Sequence, residues 1–116
     1  MPYRRGDVVL VLFPESNLRS AKRRPGLVIQ ADKLNTGLAQ TIVAMITSNL
    51  LRDGHSSRVR ISRDSAEGKG AGLLTESVVM TDNLATVREK EIDRTLGYLS
   101  DMNKVDAALR HTLLLP

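Results

Sequence analysis

Hydrophobic residues fall along the chain in short clusters, and this pattern predicts a protein built mostly from β-strands. An apolar run at residues 8–13 follows Gly6-Asp7 and is stopped by Pro14, which is typical of a strand buried on both faces. Further short strands are predicted at residues 26–30, 40–47, 57–62, 73–80 and 85–88.

The segments between these clusters carry predictions of their own. Residues 15–24 are dominated by polar and basic side chains and are predicted to be a loop. Residues 66–72 contain three glycines and are also predicted to be a loop. The pair Asp82-Asn83 predicts a turn between the last two strands, while residues 89–98 give no clear pattern.

The end of the chain gives the clearest prediction of a helix. Ser100 and Asp101 are candidate N-cap residues for it. One apolar stripe at helical spacing then contains Met102, Val105, Leu109 and Leu113. Short strands followed by one helix indicate a mainly β fold, a small β-barrel with a C-terminal helix, rather than a parallel α/β sheet.

The composition narrows the possible functions. With 116 residues the chain has the size of one domain, predicted to span residues 1–116. No apolar run approaches the ~20 residues of a membrane helix and no signal peptide is recognisable, so a cytoplasmic protein without a membrane partner is expected. Cysteine is absent and only two histidines exist, which excludes metal sites built on either residue. No Walker sequence, GxGxxG motif or carboxylate pair at metal-ligand spacing occurs either, so no metal and no cofactor are predicted.

The distribution of charge suggests a nucleic-acid ligand. The net charge is +4, and residues 1–74 hold twelve basic and six acidic residues whereas residues 75–116 hold five and seven. Twelve of the seventeen basic residues are arginine, the side chain that binds phosphate in a bidentate manner. A soluble basic protein without such a partner is the alternative. Only three aromatic residues occur, so base-stacking platforms are not expected.

A cluster of cations precedes the second predicted strand. It consists of Arg19, Lys22, Arg23 and Arg24. Such cations repel one another unless they are solvated or face an anion. Pro25 biases Arg24 toward an extended backbone, which would aim its guanidinium so that it can stabilise charge on a phosphate. The alternative is a solvated loop that only improves solubility.

Hydroxyl groups and histidines supply the remaining candidate chemistry. Thr47 and Ser48 end the strand at residues 40–47, where a hydroxyl can donate to a phosphate oxygen or a 2′-hydroxyl, although both are also ordinary strand-end residues. His55 is interpreted as a solvated loop residue and His111 as a cation at a helix end. A two-histidine ribonuclease mechanism is therefore possible but unsupported.

Five segments in the same order resemble the MazF/PemK family of toxin endoribonucleases. They cover nearly the whole chain and read Arg5-Gly6-Asp7-Val8, KRRPGLVIQ at residues 22–30, IVAMITS at residues 42–48, residues 77–87, and KVDAAL at residues 104–109. Each segment is short and moderately specific, and their common order carries the resemblance.

The resemblance implies an SH3-like barrel, a homodimer, and cleavage of single-stranded RNA without a metal. In it, Arg24 falls on the arginine that acts in acid/base chemistry or in charge stabilisation at the scissile phosphate, and Thr47 on the threonine that holds this phosphate. Lys22, Arg23, Ser48, Ser20 and Ser77 are the further candidate RNA-binding residues. The family also implies a cognate antitoxin with an acidic, disordered tail, for which the outward Arg58 and Arg60 provide a physically reasonable contact.

One departure and two alternatives accompany the resemblance. Some members have a glycine-rich first loop with a glutamate shortly before the Arg-Pro pair, whereas here the only acid of that loop is Glu15, near its beginning. The barrel is also expected in gyrase-poisoning toxins of the CcdB type, which inhibit a macromolecule without cleaving it. A member that binds RNA or antitoxin but has lost activity is the third reading.

Overall fold

The computed structural model of the chain describes residues 3–14 and 19–116. Within them, six β-strands and two α-helices follow each other along the chain. They are β1 (Asp7–Pro14), β2 (Ala21–Val28), β3 (Gln40–Thr47), β4 (Arg58–Ile61), α1 (Ala66–Gly70), β5 (Ser77–Arg88), β6 (Ile92–Tyr98) and α2 (Asn103–Leu113). Short 3₁₀ turns at Leu50–Arg52 and Glu89–Glu91 follow β3 and β5. The predicted mainly β fold with a C-terminal helix is confirmed.

The strands form one antiparallel sheet in the order β4-β5-β3-β2-β1-β6. Alternation along β1 separates two cores, because neighbouring side chains of a strand point to opposite faces. Val8 packs in one core together with Val105 of α2. Val9 and Val11 pack in the other core. The sheet thus carries apolar residues on both faces, and α2 closes only one of them.

The second strand begins earlier than the hydrophobic pattern predicts. β2 starts at Ala21, so Lys22, Arg23 and Arg24 lie on a strand and not in a loop. The physical reason is pairing with β1, whose Val11 and Phe13 stand opposite Arg24 and Lys22. Backbone hydrogen bonds to a buried neighbour extend a strand into residues whose own side chains are polar.

The predicted turn at Asp82-Asn83 is wrong, because β5 runs through it as one strand of twelve residues. Its pairing with β3 shifts between Ala44 and Met45, which leaves residues 81–83 of β5 as a bulge. Thr81 is fully buried there, and its backbone N–H and its hydroxyl both donate to the Ser57 carbonyl at 3.0 and 2.6 Å. These contacts replace the missing strand partner.

The predicted loop at residues 66–72 contains the short helix α1. The Ser65 hydroxyl caps this helix by accepting the N–H of Gly68 at 3.0 Å. Gly68 is buried against the backbone of Ser62 and Arg63, where a Cβ atom would clash. This glycine is therefore required by close packing and does not break the helix.

The C-terminal helix forms as predicted, but its N-cap position is Met102 and not the candidate caps Ser100 and Asp101. It begins at Asn103, whose N–H donates to the Asp101 side chain at 2.9 Å. Val105 is buried, whereas Leu109 is half-buried and Leu113 is exposed. No helix of the described residues is long and apolar enough to cross a membrane.

Candidate functional site

A cleft of about 380 Å³ brings together most of the predicted site residues. Five of the seven line it, namely Arg23, Arg24, Thr47, Ser48 and Ser77. Its apolar part is formed by Leu10, Ile46, Leu73 and Leu96. The cleft therefore combines cations, hydroxyl groups and an apolar floor that originate from strands far apart in the sequence.

Arg24 and Thr47 come together because of the register between β2 and β3. The paired residues at this end of the ladder are Gly26 and Met45. Arg24 lies two residues before Gly26, and Thr47 lies two residues after Met45. In an antiparallel pair such positions are opposite each other. Arg24 is half-buried and Thr47 is 9% exposed, so the surroundings restrict both side chains.

The Thr47 hydroxyl also shapes the turn that follows its strand. Its oxygen accepts the N–H of Asn49 at 3.1 Å. The Asn49 side chain in turn accepts the N–H of Leu51 at 3.1 Å and caps the 3₁₀ turn. A hydroxyl has one proton to donate and two lone pairs, so accepting this N–H leaves the proton of Thr47 available for another acceptor. The residue is thus a strand-end residue and a cleft residue at once.

Ser77 has a different position in the cleft. It is buried, and its hydroxyl donates to the Thr75 carbonyl at 2.9 Å. This bond fixes the segment of residues 72–75, which forms one wall of the cleft. Lys22 and Ser20, the other two predicted RNA-binding residues, are exposed near the start of β2 and do not line the cleft.

Two functional candidates lie on β6, where the sequence gave no clear pattern. Arg94 lines the cleft next to Leu10, its partner in the β1–β6 ladder. Asp93 forms ion pairs with two of the three arginines that line the cleft, at 3.1 Å to Arg23 and at 2.9 Å to Arg94. Only strand order brings β6 near β2, so no local sequence signal marked these two residues. Glu15, the acid of the first loop, lies outside the described residues.

A second groove, of about 490 Å³, lies between β4 and α2. Its two arginines already have acidic partners. Arg58 pairs with Asp82 at 2.7 Å, and Arg60 pairs with Asp53 at 3.0 Å and with Glu76 at 3.2 Å. The hydrogen bond from Arg58 lowers the pKa of Asp82, and hydrogen bonds to Asp53 and Glu76 raise the pKa of Arg60. The cations expected to meet an acidic partner are therefore neutralised within the chain.

The two histidines meet in space outside the cleft. The ring centroids of His55 and His111 are 6.1 Å apart, in an edge-to-face arrangement. His55 Nδ1 accepts the Ser57 N–H at 3.1 Å, which places the proton of the neutral ring on Nε2. Neither ring lines the cleft. Among residues 3–14 and 19–116, no three metal-ligating side chains come together as a metal site.

Comparison with known proteins gives one consistent result. Residues 4–113 match a family model described as PemK-like, MazF-like toxin of type II toxin-antitoxin system. The chain is 34% identical over 105 residues to a protein of Mycobacterium bovis named Endoribonuclease MazF2, with 88% of each chain covered.

Solved structures share the fold. One is a mycobacterial endoribonuclease in complex with its cognate antitoxin, with a TM-score of 0.74, 23% identity, and coverage of 98% of this chain and 97% of that one. Another is a MazE-MazF structure from Deinococcus radiodurans, with a TM-score of 0.73, 18% identity and full coverage of both chains.

Proposed function

This chain belongs to the family of PemK-like, MazF-like toxins of type II toxin–antitoxin systems, and on that premise we propose that it is an endoribonuclease that cleaves single-stranded mRNA. The observation that carries the proposal is the convergence of Arg24 and Thr47, from two strands, in one cleft with an apolar floor. The relative Endoribonuclease MazF2, of which 88% of the length is covered, supports the same activity.

The proposed reaction is an internal transesterification. The 2′-hydroxyl of the substrate attacks the neighbouring phosphorus and gives up its proton to solvent, the bond to the 5′ oxygen breaks, and this oxygen takes up a proton from solvent. The products carry a 2′,3′-cyclic phosphate and a 5′-hydroxyl. Arg24 stabilises the negative charge that develops on the phosphate oxygens, and the Thr47 hydroxyl donates to one of them. The reaction needs positioning and charge stabilisation only, so we propose that it is independent of metals and cofactors.

The remaining predicted residues would hold the RNA on either side of this phosphate. Arg23 and Ser48 are at the cleft itself, and Lys22 and Ser20 extend the basic surface at the start of β2. Ser77 already donates its proton to Thr75, so toward RNA its hydroxyl acts as an acceptor, as needed for a base N–H. Acceptors and donors at fixed positions are what sequence-specific cleavage requires.

We also propose a homodimer and a cognate antitoxin with an acidic, disordered tail that covers the cleft. The structural relative solved with its cognate antitoxin supports such a partner. The cleft is the better place for an acidic tail than the groove at β4, because Asp93 is shared by Arg23 and Arg94 in the cleft, whereas Arg58 and Arg60 of the groove are matched by three carboxylates. Because mRNA is the proposed substrate, we also propose that the protein acts in the cytoplasm.

The test is cleavage of a long single-stranded RNA in EDTA, with the ends of the products mapped. Wild type should cut at defined sites and leave 5′-hydroxyl ends. Arg24→Ala should lower the rate about 10²–10³-fold, the usual effect of removing one group that stabilises the transition state. Thr47→Val, which keeps the side-chain shape, should lower it as well.

Arg88→Ala is the matched control, because Arg88 is an exposed arginine at the end of β5, outside the cleft. It should cleave like wild type. A folded Arg24→Ala protein with wild-type activity would refute the mechanism. No cleavage by folded wild type that is free of antitoxin would refute the function and favour an inhibitor that binds without cutting.

A further inference from the structure

We propose that Arg94 and Arg23 form a second phosphate-binding subsite at the cleft, ordered by Asp93 between them. This subsite would hold a backbone phosphate next to the scissile one, so the proposal rests on the RNA-cleaving function proposed above. Arg94 would then be an RNA-binding residue that the sequence did not reveal, and Asp93 a positioning residue that acts through the two arginines.

The sheet places the two arginines on the same face. Arg23 stands opposite Leu12 and Arg94 opposite Leu10, and these two leucines are alternate residues of β1. Cross-strand partners and alternate residues of a strand share one face. The two arginines therefore flank β1 from either side, and both line the cleft.

Asp93 links them through its two oxygens. Oδ1 lies 3.1 Å from a terminal guanidinium nitrogen of Arg23, and Oδ2 lies 2.9 Å from one of Arg94. Each arginine has five N–H donors and uses only one nitrogen in this contact, so donors remain for a further anion. Without the carboxylate the two cations would repel each other and spread into solvent.

The cluster of Arg23, Arg94 and Asp93 differs from the ion pairs at β4 in its ratio of carboxylates to arginines. There, Arg60 contacts two carboxylates, Asp53 and Glu76, and its charge is more than compensated. At the cleft, one carboxylate serves two arginines and a net charge of +1 remains. A cluster with excess positive charge, preformed guanidinium groups and exposure to solvent suits a phosphate diester.

RNA is the ligand that best fits this arrangement, because its backbone carries one charge per nucleotide. A strand whose scissile phosphate lies between Arg24 and Thr47 continues along the cleft and brings its next phosphates past the rim. Arg23 and Arg94 lie on that rim, 57% and 65% exposed. A single bound anion would need no second subsite, whereas a polyanion gains from each phosphate contact.

The test measures binding without cleavage. A mixed-sequence 2′-O-methyl RNA oligonucleotide lacks the attacking hydroxyl, and its affinity is followed over a range of salt concentrations. A lost phosphate contact makes the plot of log affinity against log salt less steep by about 0.7 for a single strand. Arg94→Ala should show this change together with weaker binding.

Arg88→Ala is again the control, and it is closely matched. Arg88 and Arg94 have side chains 64% and 65% exposed, and each contacts one neighbouring carboxylate, at 3.0 and 2.9 Å. Both substitutions remove the same charge. If Arg88→Ala changes the salt slope as much as Arg94→Ala does, the effect is one of net charge and the subsite is refuted.

The role of Asp93 is tested by combining substitutions. If Asp93 orders Arg94, the affinity lost through Arg94→Ala should be smaller in an Asp93→Asn background than in wild type. If Asp93 only neutralises charge, Asp93→Asn releases Arg94 to bind RNA. The affinity lost through Arg94→Ala should then be equal or larger in the Asp93→Asn background, and this result would refute the positioning role. Asp93→Glu, which keeps the carboxylate, should restore the wild-type loss.

The two proposals fail in different ways. Cleavage abolished by Arg24→Ala, with a salt slope unaffected by Arg94→Ala, would refute only the subsite. A folded wild type that does not cleave, combined with a slope changed by Arg94→Ala alone, would refute the nuclease function and retain the subsite as an RNA-binding surface. No binding of the oligonucleotide by wild type would overturn the subsite, and together with an absence of RNA cleavage it would overturn both.

Discussion

The opening segment Arg5-Gly6-Asp7-Val8 has a structural explanation that leads to a quantitative prediction. The Arg5 guanidinium contacts Asp106 of α2 at 2.6 Å, and its Nε donates to the Ile29 carbonyl at 2.9 Å. The backbone N–H of Arg5 donates to Asp32 at 2.7 Å. One residue thus ties the start of the chain to the end of β2 and to the C-terminal helix.

The exposure of the pair sets the size of the expected effect. The side chains of Arg5 and Asp106 are 28% and 33% exposed. An ion pair on the surface contributes about 0–1 kcal/mol, and a hydrogen bond that involves a charged group about 1.5–3 kcal/mol. We expect a coupling energy of about 1 kcal/mol for this partly buried pair, between those limits.

The single substitutions should differ in size. Arg5→Ala also removes the bond to the Ile29 carbonyl, so it should lower the free energy of unfolding by about 2–3 kcal/mol. Asp106→Ala should lower it by about 1–2 kcal/mol, because it loses the pair and a negative charge in the first turn of a helix. The double variant should be less destabilised than the sum of both by the coupling energy.

The assay is urea denaturation followed by circular dichroism, at one fixed protein concentration because association would add to the measured stability. Additive effects, within about 0.3 kcal/mol, would refute the reasoning. The control is a second double-mutant comparison in which Arg4→Ala takes the place of Arg5→Ala. Arg4 is the neighbouring arginine, but its guanidinium lies 5.9 Å from the centre of the Tyr98 ring, and it should not couple to Asp106.

Two further predictions concern the packing beside the cleft and the acid sensitivity of the ion pairs at β4. Gly97→Ala places a Cβ on the backbone of Gly70 and Ala71, so we expect a loss of about 2 kcal/mol or more in urea denaturation and slower RNA cleavage, with wild-type behaviour refuting the close packing. A hydrogen bond from the Arg63 backbone lowers the pKa of Glu76, and one from Arg58 lowers that of Asp82. The folded pKa values therefore lie below the unfolded ones, so this stabilisation is present at neutral pH and lost as the pH falls below about 4. Asp82→Asn should flatten the acid side of the stability profile, and an unchanged profile would contradict the assignment.

Strands whose own residues are apolar could be predicted from the sequence, and strands formed by pairing could not. β3 has the predicted bounds because its residues are β-branched and apolar. β2 was missed over Ala21 to Arg24, since its polar half is held by β1 and not by burial of its own side chains. β6 gave no signal for the same reason, as three of its residues in succession are exposed.

Residues 81–83 show a second limit of prediction from sequence. Asp82-Asn83 is a common turn pair, but here the neighbouring Thr81 finds partners outside the sheet, in the Ser57 carbonyl and the Thr112 hydroxyl at 2.6 and 2.7 Å. Local preference predicts a turn, and tertiary hydrogen bonds overrule it. Neither partner is close in the sequence, so the bulge could not be anticipated from a window of residues.

The candidate site was predicted best where a residue's own strand positions it. Arg24 was predicted from the proline at the entrance of one predicted strand, and Thr47 and Ser48 from the end of another, and the cleft contains all three. The two histidines were not assigned to the site, and they meet in space without lining the cleft.

The carboxylate of the site illustrates why local sequence alone is an incomplete guide. The sequence places no acid directly before Arg23-Arg24, which raised doubt about any acidic residue at the cleft. The sheet nevertheless supplies a carboxylate from β6. Only β1 lies between β2 and β6, and the Asp93 side chain reaches across it to Arg23 at 3.1 Å. The negative charge that is missing from the sequence before Arg23 is thus provided in the folded protein by β6, a strand two places away in the sheet. For this reason an acidic residue of the first loop is not needed to order Arg23, and substitutions on β6 are the more direct way to change how the cleft binds RNA.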